Sequence, residues 1–458
     1  MMIPGIRPSL EPDFEPLVLY NQAFIKDVRE SMEAVPLIIA LERNPGSIAR
    51  YETLVALSSQ EWVNRSAQYL ERMVKFLLWA YGASRLYIGG APRLAQAIRE
   101  IYSPFDARQF DQAMMTRIYR QPFEVIPCSL DDVPTSVENF RSIGGHLDGC
   151  RVGFDLGASD VKVVAVKDGL PVFNAELEWQ PGDHADPYYH KSFIRQAIQL
   201  AASHLPRLDA VGGSSAGVIF NNQPRVSSLF RAVPEDQYGQ LQVIFNELSA
   251  ELGVPLTVIN DGEVTALAGA MSIQEKGVLG LAFGSSEAAG YVTPQGQITD
   301  QLNELAFAPI AVHPHAAIDE WSADRGVGAS YLSQTAVFRL AQVSGLVIPA
   351  ELSPAGRLAF AQAQLEKGEP RAVQIWESMG VYLGYALAQY ADFYDIRHVL
   401  ILGRCTSGRG GAIMLAKALQ VLAVDFPELA ESINVQLPDE KSRRVGQAIA
   451  AASLPEIH

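Results

Sequence analysis

The chain has 458 residues, 48% hydrophobic and 19% charged, with a formal net charge of −15; this length suits two or three domains with sizeable cores. The acidic balance, with no basic stripe to offset it, argues against nucleic acid as a partner, and no apolar run approaches the roughly 18 residues of a membrane span. Cys128, Cys150 and Cys405 lie far apart with no CxxC pair, which argues against a disulfide framework or a cysteine-rich zinc site.

The acidic, proline-bearing start MMIPGIRPSLEPDFEP lacks the basic and apolar regions of a signal peptide, so a cytoplasmic location is expected. Residues 1–150 read as a mostly helical extension of unassigned role. SSQEWVNRSAQYLERMVKFLLWAYG has helical apolar spacing behind a serine cap. The strand RLYIGG, the helix APRLAQAIREIYS and the strand and loop FEVIPCSLDDVPTSVENF follow. A boundary is expected near Gly144–Asp148, in GGHLDG.

From Arg151 strands and helices alternate. CRVGFDLG, DVKVVAV and LPVFNAELEW read as three antiparallel neighbours, followed by the helix HKSFIRQAIQLAASHL and a strand in LDAVGGSSAGVIF. PEDQYGQLQVIFNELSAELG reads as a helix, PLTVIND as a strand and GEVTALAGAMS as a helix. GVLGLAFGSSEAAGYVTPQGQIT suggests a hairpin; a long loop covers 300–330, and helices continue to about Tyr394 before the strand HVLILG and a last long helix. The order helix, strand, glycine turn, helix in residues 62–98 recurs near the C-terminus. Such units recur in any α/β protein, or the N-terminal region carries a degenerate copy of a nucleotide-domain unit.

Four stretches can carry chemistry. In VGFDLGASDVKVVAV, Gly157 and Ala158 leave room for a close approach, Ser159 offers a hydroxyl and an N–H to phosphate, Lys162 adds charge, and Asp155 can hold magnesium. The same stretch also fits an ordinary hairpin. In VPLTVINDGEVTALAGA, Asp261 follows a buried strand; it can cap the next helix, or accept a proton from a substrate hydroxyl. GLAFGSSEAAGYV offers Gly284, Ser285 and Ser286 as a second phosphate turn, with Glu287 facing substrate or a structural partner. In HVLILGRCTSGRGGAIMLAKAL, Gly403, Gly408, Gly410 and Gly411 open a turn for a nucleotide base and phosphate, with Arg404 and Arg409 for charge or stacking.

The order of these stretches resembles the sugar kinase, heat-shock protein and actin superfamily, and within it the ROK group of bacterial sugar kinases. Asp155-Leu156-Gly157-Ala158-Ser159-Asp160 is similar to that group's Asp-x-Gly-Gly-Thr-Lys, and Asn260-Asp261-Gly262-Glu263-Val264-Thr265-Ala266 to its Asn-Asp-Ala-Asn-Ala-Ala-Ala. GGSSAGVIFNN is similar to its Gly-x-Pro-Gly sugar loop. The resemblance covers 151 to about 455. It implies an α/β, two-lobed ribonuclease H-like (actin/hexokinase-type) fold with an added mostly helical N-terminal domain. The first lobe is expected over 151–270, the second over 271–440, and a C-terminal helix returning to the first over 441–458.

The resemblance also implies an ATP- and Mg²⁺-dependent phosphotransferase acting on a hexose hydroxyl, with Asp261 as general base. Ser214, Ser215, Asn260 and Glu287 would orient the sugar, and Glu304 would stand for the group's Glu-x-Gly-His glutamate. The chain departs at Ala158, at Asp160, whose charge falls where phosphate would sit, at Phe283 and in the missing Gly-His. The thiolate cluster of zinc-bearing members is absent, so no zinc is expected. His313 and His315 suit a metal or sugar contact, or simply the surface. The expected partners are a small sugar and ATP, without nucleic acid or membrane, and the resemblance allows a homodimer. The rival reading is a catalytically silent nucleotide- or sugar-binding sensor or scaffold. A ROK-type repressor is disfavoured by the acidic charge and the lack of a basic recognition helix.

Overall fold

A computed structural model describes residues 3–137, 144–438 and 440–457. The chain begins with α1 (Leu17–Glu30), β1 (Val35–Asn44), β2 (Ser47–Val55), α2 (Gln60–Tyr81), β3 (Arg85–Gly89), α3 (Pro92–Ile101), α4 (Gln109–Tyr119) and β4 (Glu124–Cys128). It continues with β5 (Cys150–Leu156), β6 (Asp160–Lys167), β7 (Leu170–Glu178), α5 (Pro187–Ala202), β8 (Ala210–Ser215), β9 (Val218–Phe220), β10 (Gln223–Val226), α6 (Tyr238–Leu241), α7 (Ile244–Leu252), β11 (Leu256–Asn260) and α8 (Asp261–Ile273). Then come β12 (Val278–Phe283), β13 (Glu287–Val292), α9 (Gln334–Ser344), α10 (Pro354–Glu366), α11 (Pro370–Ala391), β14 (His398–Leu402), α12 (Arg409–Asp425), α13 (Pro427–Ser432), β15 (Asn434–Gln436) and α14 (Glu440–Ala452). Among the described residues no helix is long and apolar enough to cross a membrane.

The chain divides into two units, one of Phe140–Leu281, Gly290–Thr299 and Pro438–His458, the other of Met1–Asn139, Ala282–Ala289 and Asp300–Leu437. The first is built on a sheet ordered β11-β8-β5-β6-β7. β6 lies antiparallel to β5 and β7, whereas β8 is parallel to β5 and β11 to β8. That is the strand order of a ribonuclease H-like half, as expected. Every residue of β5 and β8 is buried, as expected of central parallel strands covered on both faces.

One face of this sheet packs on α5, α6 and α7 through Phe154, Ile194, Ile198 and Phe245. The other receives α14, where Val164 and Val166 meet Ala448 and Ala452. Gly153 and Gly212, paired neighbours in β5 and β8, let that helix approach the bare backbone. A Cβ on either would lie 1.8 Å from the Ala448 carbonyl oxygen or 1.6 Å from that of Ala451. Buried Arg151 fixes the segment beyond the helix, donating to the carbonyl of Pro455 at 2.6 Å.

The second unit corrects the expectation of a mostly helical N-terminal extension. Residues 35–128 supply a four-stranded sheet ordered β2-β1-β3-β4, and Met1–Asn139 belongs to the same compact body as Asp300–Leu437. Its core mixes both stretches: Trp79 packs on Phe307 at 4.4 Å between ring centres and Phe76 on Phe393 at 4.3 Å. Buried Lys75 lies 2.8 Å from Asp111 and 3.0 Å from Asp324, and Arg43 lies 2.9 Å from Asp300. α2 begins at the expected serine cap, Ser59, which accepts from the Trp62 N–H at 3.2 Å. A further sheet is ordered β13-β12-β14-β15, with the tips of β12 and β13 in this unit.

Candidate active site

The candidate residues of the first unit lie at the carboxyl ends of adjacent parallel strands, where open α/β sheets place ligands. Register puts Asp155 of β5 opposite Ser214 of β8, and Ser215 opposite Asn260 of β11. The Ser214 hydroxyl donates to Asp155 Oδ1 at 2.7 Å in a buried contact. Lys162, paired across from Asp155 on β6, brings Nζ to 3.5 Å from Asp155 Oδ2 and 3.1 Å from Asp160 Oδ1. Burial works against this ammonium, but the charges of Asp155, Asp160 and Glu176 outweigh it and raise its pKa. One ammonium thus serves both Asp155 and Asp160.

The turn is closed by the Gly157 N–H, which donates to the Asp160 carbonyl at 2.9 Å. The Ser159 hydroxyl donates to Asp160 Oδ2 at 3.0 Å. Trp179, which the sequence reading did not single out, braces the turn from β7's end. Its indole N–H donates to the Gly157 carbonyl at 2.7 Å and its backbone N–H to that of Ser159 at 3.1 Å.

Asp261 opens α8, but Asn260 performs the capping. The Asn260 side chain accepts from the Gly262 N–H at 2.7 Å and donates to the Gly217 carbonyl at 2.9 Å. The Asp261 carboxylate also accepts from Gly262, at 3.1 Å. Burial, and then the charge of Asp155, push its pKa to about 7. The loop at Ala216-Gly217 is held by the Ser227 hydroxyl, which donates to the Ala216 carbonyl at 2.6 Å. Gly217 has φ +96°, and a Cβ there would lie 2.3 Å from the Val226 carbonyl oxygen, so glycine is required. Asp155, Ser159, Lys162, Ser214, Ser215, Asn260 and Asp261 therefore belong to one connected edge of this unit. A divalent cation on Asp155 would have to share or displace the Ser214 hydroxyl and Lys162, which already hold its two oxygens.

In the second unit the turn after β12 closes as Gly284 N–H donates to the Ser286 carbonyl at 2.9 Å, and Ser285 and Ser286 are exposed. The glycine turn after β14 lies beside it: Gly403, at φ +100°, would place a Cβ 2.2 Å from the Phe283 carbonyl oxygen. Three expectations need correction here. Glu287 points into the interior, 3% exposed, with Tyr390 donating to Oε1 at 3.0 Å, and burial pushes its pKa to about 8. The start of α12 is not open for phosphate, because Glu366 already accepts from the Arg409 N–H at 3.0 Å. Gly410 makes room for Trp376, whose ring nitrogen would lie 2.4 Å from a Cβ, rather than for a base. Arg404 is exposed at that turn, and Gly408 has φ +64°. Glu304 is half-buried, its N–H donating to the Trp79 carbonyl at 3.0 Å. His313 accepts from the His315 N–H at 3.1 Å. Among the described residues no three His, Cys, Asp or Glu side chains converge as metal ligands.

No protein-family model and no curated protein matches the sequence. Solved structures match in fold. A ROK family glucokinase from Streptomyces griseus, in complex with glucose and AMPPNP, is 17% identical at a TM-score of 0.51, covering 66% of this chain and 98% of its own. ROK hexokinase from Thermus thermophilus is 17% identical at 0.50, covering 66% and 97%. A ROK family transcriptional regulator, a homologue of E. coli MLC protein, is 17% identical at 0.52, covering 66% and 78%. The chain thus has a ROK-like fold, shared by kinases and regulators alike, and a third of it lies outside the match.

Proposed function

We propose that this protein is an ATP-dependent sugar kinase in which Asp261 takes the proton from a hexose hydroxyl. The observation that carries this is the state of Asp261. Asn260 makes the shorter cap bond, and burial beside Asp155 sets the Asp261 carboxyl near 7, a value suited to a general base at neutral pH. Asn260, Ser214 and Ser215 would orient the sugar. The deprotonated oxygen would attack the γ-phosphorus of ATP, breaking its bond to the bridging oxygen and releasing ADP. Within the first unit Ser159 would supply a donor to the phosphates, its hydroxyl exchanging Asp160 for them. Mg²⁺ on Asp155, when bound, would neutralise phosphate charge; for that Lys162 would have to yield Asp155 or share it.

The Lys162 pairs and the Glu366 cap on α12 favour a second reading, a sensor that binds sugar without turnover. An assay of a sugar panel with ATP and Mg²⁺ separates the two. Turnover is expected, falling about 10²–10⁴-fold in Asp261→Asn. Turnover that survives this substitution defeats the base assignment. No turnover and no ATP-dependent thermal shift ends the kinase reading, and sugar binding alone leaves the sensor.

A further inference from the structure

The strand that delivers Asp261 lies at the margin of its sheet. β11 is the end strand of the order β11-β8-β5-β6-β7. Just before it, the Pro255 carbonyl accepts from the Val211 N–H of β8 at 2.9 Å. Alternation along the strand therefore turns the Leu256 carbonyl and the Val258 N–H outward, where a sheet edge leaves such groups without a partner strand. One side chain takes both. The Asn222 amide donates to the Leu256 carbonyl at 2.6 Å and accepts from the Val258 N–H at 2.7 Å. A neighbouring strand would make the same pair of bonds; here a single amide, with its donor and its acceptor, supplies them.

Asn222 stands at the tip of a hairpin. β9 and β10 pair antiparallel with Phe220 opposite Gln223, so the turn consists of Asn221 and Asn222. Both have positive φ, +51° and +60°, as in a type I′ turn, whose second place favours glycine. Glycine at 222 would serve the turn at least as well; asparagine adds the amide that reaches β11. The base of the hairpin is tied to the same strand, because the Asn260 side chain donates to the Gly217 carbonyl at 2.9 Å. The hairpin is thus held to β11 near the strand's start by Asn222 and at its last residue by Asn260. Asp261 comes next in the chain, beside the Ala216-Gly217 loop.

We propose that Asn222 is a positioning residue for the sugar site: by latching the hairpin to β11 it sets the Ala216-Gly217 loop, and the sugar it holds, in register with Asp261. The phosphoryl transfer this serves rests on the kinase reading, while the placing of the loop does not. The amide is engaged by two backbone groups, so Asn222 acts through them rather than on the sugar. A latch that merely secured the sheet edge would affect stability alone; one that sets the register changes how sugar is held.

Two variants of the full chain test this, with folding checked by thermal melts. Asn222→Gly keeps the turn and removes only the latch. Asn222→Asp keeps an acceptor for Val258 but meets the Leu256 carbonyl with an oxygen in place of a donor. On the sugar selected by the panel, kcat/KM for sugar should fall about ten-fold or more in each, with KM for ATP unchanged. General damage to the fold would move both substrates together. Calorimetric titration with the sugar alone reads the same displacement without turnover. Wild-type sugar parameters in either variant, or equal losses towards sugar and ATP, overturn the proposal. If the wild type binds sugar without turnover, the kinase reading falls, and sugar binding about ten-fold weaker in the variants leaves the latch standing. A wild type that binds no sugar of the panel overturns both.

Discussion

Asp261 and Glu287 are carboxyl groups that burial holds protonated far above their usual range, to about 7 and about 8, yet their surroundings give them different consequences. Asp261 belongs to an edge where substrate can reach it, so its titration should appear in catalysis. The expected kcat/KM rises with pH through about 7 as the base ionises, a limb that a pH profile would reveal and that Asp261→Asn should lack. Glu287 is sealed inside, and its titration should appear in stability. Its folded pKa lies above the ordinary 4.5, so between those values the folded state keeps a proton that the unfolded state has lost. Its contribution is complete below about 4.5 and is lost as pH rises through about 8. Thermal or urea melts should therefore show stability falling as pH rises from about 4.5 to about 8, by at most about 1.4 kcal/mol per pH unit from this group, and levelling above that. Glu287→Gln should flatten that slope.

At the level of elements, helix α14 lies on the backbone of β5 and β8 because Gly153 and Gly212 present no side chain. Gly212→Ala is expected to force the helix away and cost about 1–3 kcal/mol or more, measured by denaturant unfolding. Gly239→Ala, where a Cβ meets nothing within 4 Å, serves as the neutral control. The glycines were visible in RVGFDLG and AVGGSS, but the helix they serve lies more than two hundred residues away, so no local pattern revealed their purpose. What was legible was what is local: β5, β6 and β7 are short apolar runs parted by turn residues, and Asn260-Asp261 ends one buried strand and starts a helix. The β1–β2 hairpin was missed although Asn44-Pro45-Gly46 marks its turn, since the long amphipathic α2 dominates that region. The Glu366 cap on α12 and the Lys162–Asp160 pair were not legible, because each depends on where the fold brings a charge. The echo noted in the sequence has a counterpart in the sheets. β2-β1-β3-β4 and β13-β12-β14-β15 have the same order along the chain, and in each the last two strands are parallel.

For the whole molecule, the N-terminal third is a component of the second unit's core rather than an appendage. Leu17 donates to the Ile310 carbonyl at 2.9 Å, and Phe14 stands 4.7 Å from Tyr382 between ring centres. A chain lacking residues 1–139 has the length of a ROK-like kinase but strips Trp79 and Phe76 from Phe307 and Phe393. It is expected to aggregate or to lose the cooperative melting of the second unit, whereas a chain carrying a removable appendage would keep both; calorimetry on the shortened protein decides this.

The first unit is closed by the other end of the chain. Arg151 and its partner Pro455 are 304 residues apart, which at roughly 5–20 residues per second is about 15–60 s of synthesis. Throughout that interval β5 and β8 exist on the ribosome with their glycine face bare and a guanidinium awaiting its acceptor. The nascent sheet is then the part of this protein most in need of a chaperone, and a chain cut before α14 is made would carry a first unit that never closes.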